Sequence, residues 1–408
     1  MNPEPAEFRT LPLGGRHVVL GVTGSIAAYK AADLASKLRQ VGATVEVVMT
    51  PAAARFVTPL TFSSLTGRET VVDMFSAGEA EAHVEIARRA GAFVIAPATA
   101  DCLANLAHGH TPDMVSLTAL ATQAPILVAP AMDSQMWSHP ATQANVQTLR
   151  ERGVTFVGPG EGRLASGRLG TGRLAEVADV VGALRTMLGA CDGDLRGRHV
   201  VVSAGGTQEP LDPVRFVGNR SSGKMGFAIA EAARDRGARV TLVSGPVSLD
   251  APYGVRLVDV TTVAQMLTAL EGATADADAL VMAAAPADFR PDNPAPQKLK
   301  KAPGQESMAL TMARNPDILA TLKGGGVRVG FAAETEHLAE NAVQKLAAKR
   351  LDFIVGNDVT AAGSGFGTET NQVTLFHADG RVEELPLMSK YAVAQAILDR
   401  VAARLSVH

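Results

Sequence analysis

The sequence predicts an α/β chain made of two doubly wound, Rossmann-like and mainly parallel sheets in tandem. Three observations carry that expectation. First, GRHVVLGVTG at 15–24 recurs as GRHVVVSAGG at 197–206, each an apolar strand run entering a Gly-containing loop. Second, buried-strand runs alternate with helical periodicity after both copies, the β-α-β rhythm of parallel sheets. Third, 408 residues at 47% apolar supply cores for two domains rather than one or three, while aromatics are only 4%. Small Ala, Val and Gly side chains suit helices lying close on a sheet buried on both faces.

In chain order, residues 1–14 hold three Pro and no apolar signal core, and read as a mobile N-terminal tail. The first domain is expected over 15–190. Its helix at 25–40 leads to a strand at 44–49, and further strands follow at 92–96, 126–129 and 154–157. A helical pattern at 175–188 precedes the polar stretch 191–196, where the domain boundary is placed. The second domain, 191–408, has a helix at 227–236 and strands at 239–243, 279–284, 327–332, 352–355 and 373–376. Helices at 262–271, 336–350 and 389–405 alternate with them.

Charge and cysteine content narrow the partners. A net charge of -3 offers no basic face for nucleic acid or for an anionic membrane. No apolar run approaches the roughly 20 residues of a membrane span. Cys102 and Cys191 lack the spacing of a disulfide framework or a metal site, which fits a cytoplasmic protein. His108, His110 and Asp113 lack a closing ligand pattern, so metal ligands stay undefined. Neither Gly loop is a full G-x-G-x-x-G, and Thr50 and Ser244 stand where an NAD site would place its acid; NAD binding is not expected.

The chemistry gathers at strand ends. Residues 203–226, SAGGTQEPLDPVRFVGNRSSGKMG, run from a strand through a Gly/Ser-rich loop into a helix, aiming backbone N–H groups at an anion. Arg215, Arg220 and Lys224 add charge there. In the first domain, Gly24 and Ser25 open a similar loop, and Thr50, Ser63 and the Pro97-Ala98-Thr99-Ala100 turn share its sheet edge. His83 begins a helix, where the dipole favours a neutral imidazole able to accept a proton. By residue type alone, Lys298 in QKLKK also reads as a solvated run, and Lys345 and Lys349 as an exposed helix face. Asn315-Pro316 likewise reads as a cap for a helix at 317–323.

These motifs resemble a known family. GVTGSIAAYK, His83, PATAD at 97–101 and PAMDSQMW at 130–137 are similar to the homo-oligomeric flavin-containing cysteine decarboxylases. GGTQEPLDPVRFVGNRSSGKMGFAIA, AAAPADFR, KLKK and NPDI resemble phosphopantothenate–cysteine ligase. The two in tandem, over about residues 15–405, resemble the bacterial bifunctional coenzyme A biosynthesis proteins.

The resemblance implies two reactions. The second domain would join cysteine to 4′-phosphopantothenate with CTP and Mg²⁺, through an acyl-cytidylate. Lys298 would assist formation of that anhydride, and Asn219 the attack of cysteine. Ala283, Ala284, Asp288, Asn315, Pro316, Asp317, Ile318, Phe331, Lys345 and Lys349 would contact the CTP. The first domain would decarboxylate 4′-phosphopantothenoylcysteine to 4′-phosphopantetheine, with FMN held by Gly24, Ser25, Thr50, Ser63 and the 97–100 turn. His83 would be the base. A trimer-based first domain and a dimeric second domain are implied too. Two positions depart from the family: its clamp Asn is Asp133 here, and its proton-donating Cys is Ser166. A carboxylate facing the substrate's own must be paired or protonated, and a hydroxyl is a far weaker acid than a thiol.

Overall fold

In the computed structural model the described residues are 11–75, 81–300, 306–334, 338–358, 365 and 367–406. Two compact units emerge, Met1–Cys191 and Asp192–His408.

The first unit runs β1 (His17–Val22), α1 (Ala28–Gln40), β2 (Thr44–Met49), α2 (Pro59–Thr66), β3 (Thr70–Val71), α3 (Ala82–Arg89) and β4 (Ala92–Ala98). It continues through α4 (Ala100–His108), α5 (Met114–Ala121), β5 (Ile126–Pro130), α6 (Ser134–Ser138), α7 (Pro140–Glu151) and β6 (Thr155–Phe156). A hairpin of β7 (Gly160–Arg163) and β8 (Leu169–Arg173) precedes α8 (Val177–Asp192). The main sheet is wholly parallel in the order β3-β2-β1-β4-β5-β6. Every residue of β4 is buried, as helices on both faces require. Chain direction across the sheet reverses between β1 and β4, where such folds leave a crevice for ligands.

The second unit opens with β9 (His199–Ala204), a hairpin of β10 (Gln208–Pro210) and β11 (Phe216–Gly218), and α9 (Lys224–Asp235). Next come β12 (Arg239–Ser244), β13 (Arg256–Asp259), α10 (Val263–Thr274), β14 (Ala279–Met282), β15 (Phe289–Pro291) and β16 (Met312–Arg314). The unit ends with α11 (Ile318–Thr321), β17 (Val327–Glu334), α12 (Leu338–Ala348), β18 (Phe353–Asp358), β19 (Thr370–Asn371), β20 (Val373–His377), β21 (Val382–Glu384), β22 (Met388–Ser389) and α13 (Lys390–Leu405). Its main sheet has the order β13-β12-β9-β14-β17-β18-β20-β21, parallel as far as β18 and antiparallel beyond. The direction change lies between β9 and β14.

Most expected elements are present, with shifted ends. α1 starts three residues later than the expected 25, because Ser25 makes a local turn instead: its hydroxyl accepts from Ala27 N and its carbonyl from Ala28 N. α9 starts at Lys224 rather than 227, because Gly223 turns the chain at φ 74°. A Cβ there would lie 2.7 Å from Val247 and face a left-handed backbone besides. The expected helix 317–323 shrinks to α11, which ends where Leu322 becomes extended. α8 runs on to Asp192, so the polar stretch 191–196 begins inside a helix. Of the expected tail 1–14, residues 1–10 lie outside the described residues. Leu11–Gly14 form turns, with Leu13 buried and its N–H on Val41 O at 2.8 Å. Among the described residues, no helix is long and apolar enough to cross a membrane.

Candidate active sites

At the first crevice, a buried hydroxyl ties the two central strand ends together. Thr23 Oγ1 donates to Pro97 O at 2.7 Å and accepts from Thr99 N at 3.1 Å. Thr99 in turn caps α4 by accepting from Cys102 N. Gly24 must be glycine because a Cβ would lie 2.5 Å from that of Ala52. Thr50 is buried, with its hydroxyl accepting from Ala53 N, and Ser63 Oγ lies 3.1 Å from Thr70 Oγ1. Of these expected FMN contacts, Gly24, Thr50 and the 97–100 turn share one edge. Ser63 spends its hydroxyl inside its own helix and strand.

A cavity of about 560 Å³ opens beside Thr23, lined by Ser25, Ile26, Tyr29 and Lys30, by Ala131–Asp133, and by the β7–β8 hairpin. That volume falls within the range of small-molecule sites. Ala27 gives α1 no side-chain cap; Ser25 instead accepts from Ala27 N and Ala28 N, and the positive end of the helix faces the cavity. The hairpin is seated by Gly172, whose carbonyl accepts from Met132 N at 2.9 Å and whose missing side chain would strike Met132 O.

Ser166 and Asp133 meet at this cavity. Ser166 Oγ donates to Asp133 Oδ2 at 2.9 Å, while Asp133 Oδ1 accepts from Gln135 N and caps α6. The Gln135 N–H, the Ser166 hydroxyl and the nearby Arg168 hold the Asp133 carboxyl below its ordinary value. Of the two ways to accommodate a carboxylate here, pairing is the one built into this chain. Lys30, Arg163 and Arg173 line the same cavity, with Glu176 bonded to Arg173 at 2.7 Å and lying 3.8 Å from Lys30. Lys30 went unnoticed in the sequence; its position one turn past Ser25 was the available signal. His83 is the second residue of α3, half-buried, and does not line the cavity. Asp113 is engaged in the capping box of α5 with Ser116, and the rings of His108 and His110 lie 6.1 Å apart.

The second crevice uses hydroxyls in the same way. Ala284 N donates to Ser203 Oγ at 3.1 Å, and Ala287 N to Thr207 Oγ1 at 2.9 Å, joining the ends of β9 and β14. Asn219 follows β11 and donates from Nδ2 to Pro286 O at 2.9 Å. Its loop packs so closely that a Cβ on Gly206 would lie 2.5 Å from Asn219 O. α9 has no side-chain cap, leaving its N-terminal N–H groups available. Asn315, buried, donates to Ala287 O, accepts from Arg290, and bonds Asp288 O through its backbone N–H. Ala283, Ala284, Asp288, Asn219, Asn315 and Asp317 therefore border one edge.

The fold already engages several of the expected residues. Two of the three cations expected to face an anion are already paired: Arg215 with Asp212, and Lys224 with Glu369 and Gly367 O. Ile318 is buried in the core, so only its backbone is open to a ligand. Lys349 is bonded to Asp317 at 3.1 Å, so these two expected CTP contacts neutralise each other. Phe331 on β17 packs partly into the core. Lys345 lies on α12, and Pro316 is exposed beside Asn315. Lys298 is exposed on a loop without regular structure, and Lys301 lies outside the described residues. Most of residues 363–367, a GSGFG run whose sequence reads as a mobile lid or turn, also lies outside the described residues.

The GGTQEPLDP run proved largely architectural. Glu209, buried, accepts from Val263 N at the start of α10, and Asp212, also buried, accepts from Val214 N, Arg215 N and Leu299 N. The Arg215 guanidinium, reinforced by those N–H groups, holds the Asp212 carboxyl far below the usual carboxylate range.

Two switch-point crevices on separate sheets, one with a preformed cavity, define a two-site α/β enzyme. The comparisons give the class a family. A family described as "Flavoprotein" matches residues 9–189, and "DNA/pantothenate metabolism flavoprotein C-terminal domain" matches 195–405. The coenzyme A biosynthesis bifunctional protein CoaBC of Bacillus subtilis (strain 168) is 46% identical over 398 residues, covering 96% of this chain and 98% of the relative. That of Escherichia coli (strain K12) is 42% identical over 402 residues, covering 97% and 98%. A crystal structure of the C-terminal domain of a CoaBC protein shares 37% identity, covering 53% of this chain and all of that one at a TM-score of 0.46. The chain belongs to the coenzyme A biosynthesis bifunctional protein family. It is a bifunctional enzyme of coenzyme A biosynthesis, with a flavoprotein decarboxylase unit followed by a ligase unit.

Proposed function

We propose that the second unit uses CTP and Mg²⁺ to join L-cysteine to 4′-phosphopantothenate, and that the first unit decarboxylates the product to 4′-phosphopantetheine with FMN. The observation that carries this reading is the repeated crevice: both sheets bring a hydroxyl-bridged strand end to an uncapped helix N-terminus.

In the ligase unit the carboxylate is first activated as an acyl-cytidylate, with pyrophosphate leaving. Lys298 supplies positive charge to that transfer. Asn219 then steadies the oxyanion formed as the cysteine amine attacks; one Nδ2 hydrogen already donates to Pro286 O, and the second remains. The nucleotide lies along Ala283, Ala284 and Asp288, the Asn315–Ile318 turn, Phe331, Lys345 and Lys349. Among the described residues no three His, Cys, Asp or Glu side chains cluster as metal ligands. The Mg²⁺ would arrive on the nucleotide, held mainly by phosphates and water.

In the decarboxylase unit the cavity volume, the positive end of α1 and Lys30 fit a phosphorylated flavin. Gly24, Ser25, Thr50 and the Pro97-Ala98-Thr99-Ala100 turn would hold it, with Ser63 behind them. When bound, the flavin would oxidise the deprotonated thiol end of the substrate so that CO₂ can leave, and would return the same two electrons to the unsaturated enethiol left behind, with no net oxidation. His83 takes the proton. It lies away from the cavity within one chain, which favours a trimer whose neighbouring copies complete each site. Asp133 and Ser166 meet the substrate's carboxyl end. The ligase unit would act as a dimer, in the cytoplasm.

The test supplies 4′-phosphopantothenate, CTP, cysteine and Mg²⁺ to the purified chain. Expected are pyrophosphate release that requires both pantothenate and CTP, then CO₂ release that requires bound FMN. Pyrophosphate formed equally well with ATP alone, or CO₂ formed by the flavin-free protein, would refute the reading.

A further inference from the structure

The hairpin β10–β11 carries Asn219 just beyond its end. Its tip, residues 211–215, closes through Leu211 N on Arg215 O at 2.9 Å. The tip holds the loop that bears Lys298 by the very next peptide. Leu299 N donates to Asp212 Oδ2 at 3.1 Å, and Leu299 O accepts from Arg215 Nη2 at 2.9 Å. Both polar atoms of that residue's backbone are thus gripped by one ion pair. A further contact, Ala295 N on Leu211 O at 2.9 Å, fixes the same loop upstream.

The Asp212 side chain is wholly buried, and all its partners are used in this grip or in shaping the tip. A buried carboxylate survives only where such donors offset its desolvation. Here the compensated charge spans a gap of 87 residues in sequence to reach an irregular loop. Lys298 itself is exposed. A long ammonium side chain on an unpinned loop spreads over many positions and loses its catalytic geometry. Pinning the adjacent peptide removes most of that freedom while leaving the ammonium free to reach a phosphate.

We infer that Asp212 is a positioning residue for Lys298, and that the β10–β11 hairpin aligns the groups serving the two half-reactions: Lys298 gripped at its tip, Asn219 carried at its end. This rests on the reading of Lys298 given above.

The experiment uses the full chain with FMN bound and the Asp212→Asn substitution, which keeps the shape but removes the charge and one of the two acceptor oxygens. The first half-reaction is followed as pyrophosphate released from CTP and 4′-phosphopantothenate without cysteine. Expected are a fall in its maximal rate of about tenfold or more, a KM for CTP within about threefold of the wild type, and unchanged CO₂ release. Brief trypsin treatment gives a readout independent of activity: the bond after Lys298 should become the earliest cut in the variant. A general loss of structure would instead speed cleavage throughout and lower the melting temperature. Leu299→Pro, which lacks the N–H given to Asp212, covers that case, because the hairpin keeps its own bonds. An unchanged rate in a folded Asp212→Asn or in Leu299→Pro overturns the proposal. Lys298→Gln separates the two ideas: if it still forms the anhydride, the reading of Lys298 fails, whatever Asp212 does.

Discussion

The two units start from nearly the same ten residues and finish their sites by different means. In the first, a hairpin lies over the sheet edge and walls one side of a cavity, with Gly172 seated on the Met132 backbone. In the second, separate arms reach the edge from 208–224, 285–300 and 315–318, and each is tied down by its own buried polar contact: Glu209 on α10, Asp212 on Leu299, Asn315 on Ala287. What the units share is the hydroxyl bridge between central strands, Thr23 in one and Ser203 with Thr207 in the other. The sheet edge therefore specifies where a phosphorylated ligand sits, while the chemistry is set by what the loops bring over it. A cavity walled by a hairpin holds one ligand in place; separate arms admit a large nucleotide and a second substrate in turn.

Lys298→Gln gives the largest contrast between the units. It should lower pyrophosphate release by about 10²-fold or more, the scale of losing one charge stabiliser in phosphoryl or acyl transfer. CO₂ release from supplied 4′-phosphopantothenoylcysteine should be unchanged. A parallel fall in both activities would break the comparison, since it would make the two sites one.

Ser166→Cys comes next. Restoring a thiol offers an acid several units stronger than the hydroxyl, so the yield of saturated product over the unsaturated enethiol, read by mass spectrometry, should rise about tenfold. The neighbouring Asp133 anion works against that thiolate, so the double variant with Asp133→Asn should exceed the single one. Equal product ratios in all three chains would show that another group already donates the proton.

The hydroxyl bridges predict a smaller effect. Thr23→Val removes two hydrogen bonds, one buried and one part-buried, and Thr207→Val one buried bond. Leaving a buried partner unpaired costs about 1–3 kcal/mol, or about 2–4 °C per kcal/mol in a unit of this size. Scanning calorimetry should show the larger drop for Thr23→Val, in the transition that accompanies loss of flavin colour. A drop of equal size in the other transition would deny the units their separate cores.

Much of this was legible in the sequence, and the parts that were not share a cause. Main-sheet strands such as 92–98 and 126–130 are apolar runs with nearly every residue buried, and helices such as α13 carry their own periodicity and cap. The hairpin at 160–173 is GEGR against LGTGR, with almost no β-forming residues; it pairs because Gly170 and Gly172 let it lie against residues 132–134. Asn219 and Lys298 were visible as motif members, but the Asp212 contact that joins their loops spans 87 residues and has no local signature. Likewise Lys349 looked like a free cation on a helix face until the fold brought Asp317 to it. Residue types announce chemistry; only the fold shows which charges are already taken.

The smallest expected effect tests the Asp133–Ser166 pair itself. Asp133→Asn keeps one oxygen, for the Gln135 N–H, and sets an amide NH₂ against the Ser166 hydroxyl, which must then accept; the difference from the wild type reports the charge together with that reversal. Because the folded carboxyl titrates below its unfolded value of about 3.9, its ionised form favours the native state above that pH. The advantage is lost as pH falls through the lower folded value. Wild type should therefore melt above the variant at pH 7, by no more than about 1–2 °C for so accessible a group. The gap should narrow below pH 4 and close under more acid conditions. A gap that widens on acidification would mean that Asp133 is held neutral in the folded chain, and would return the first site to a protonated acid facing the substrate carboxylate.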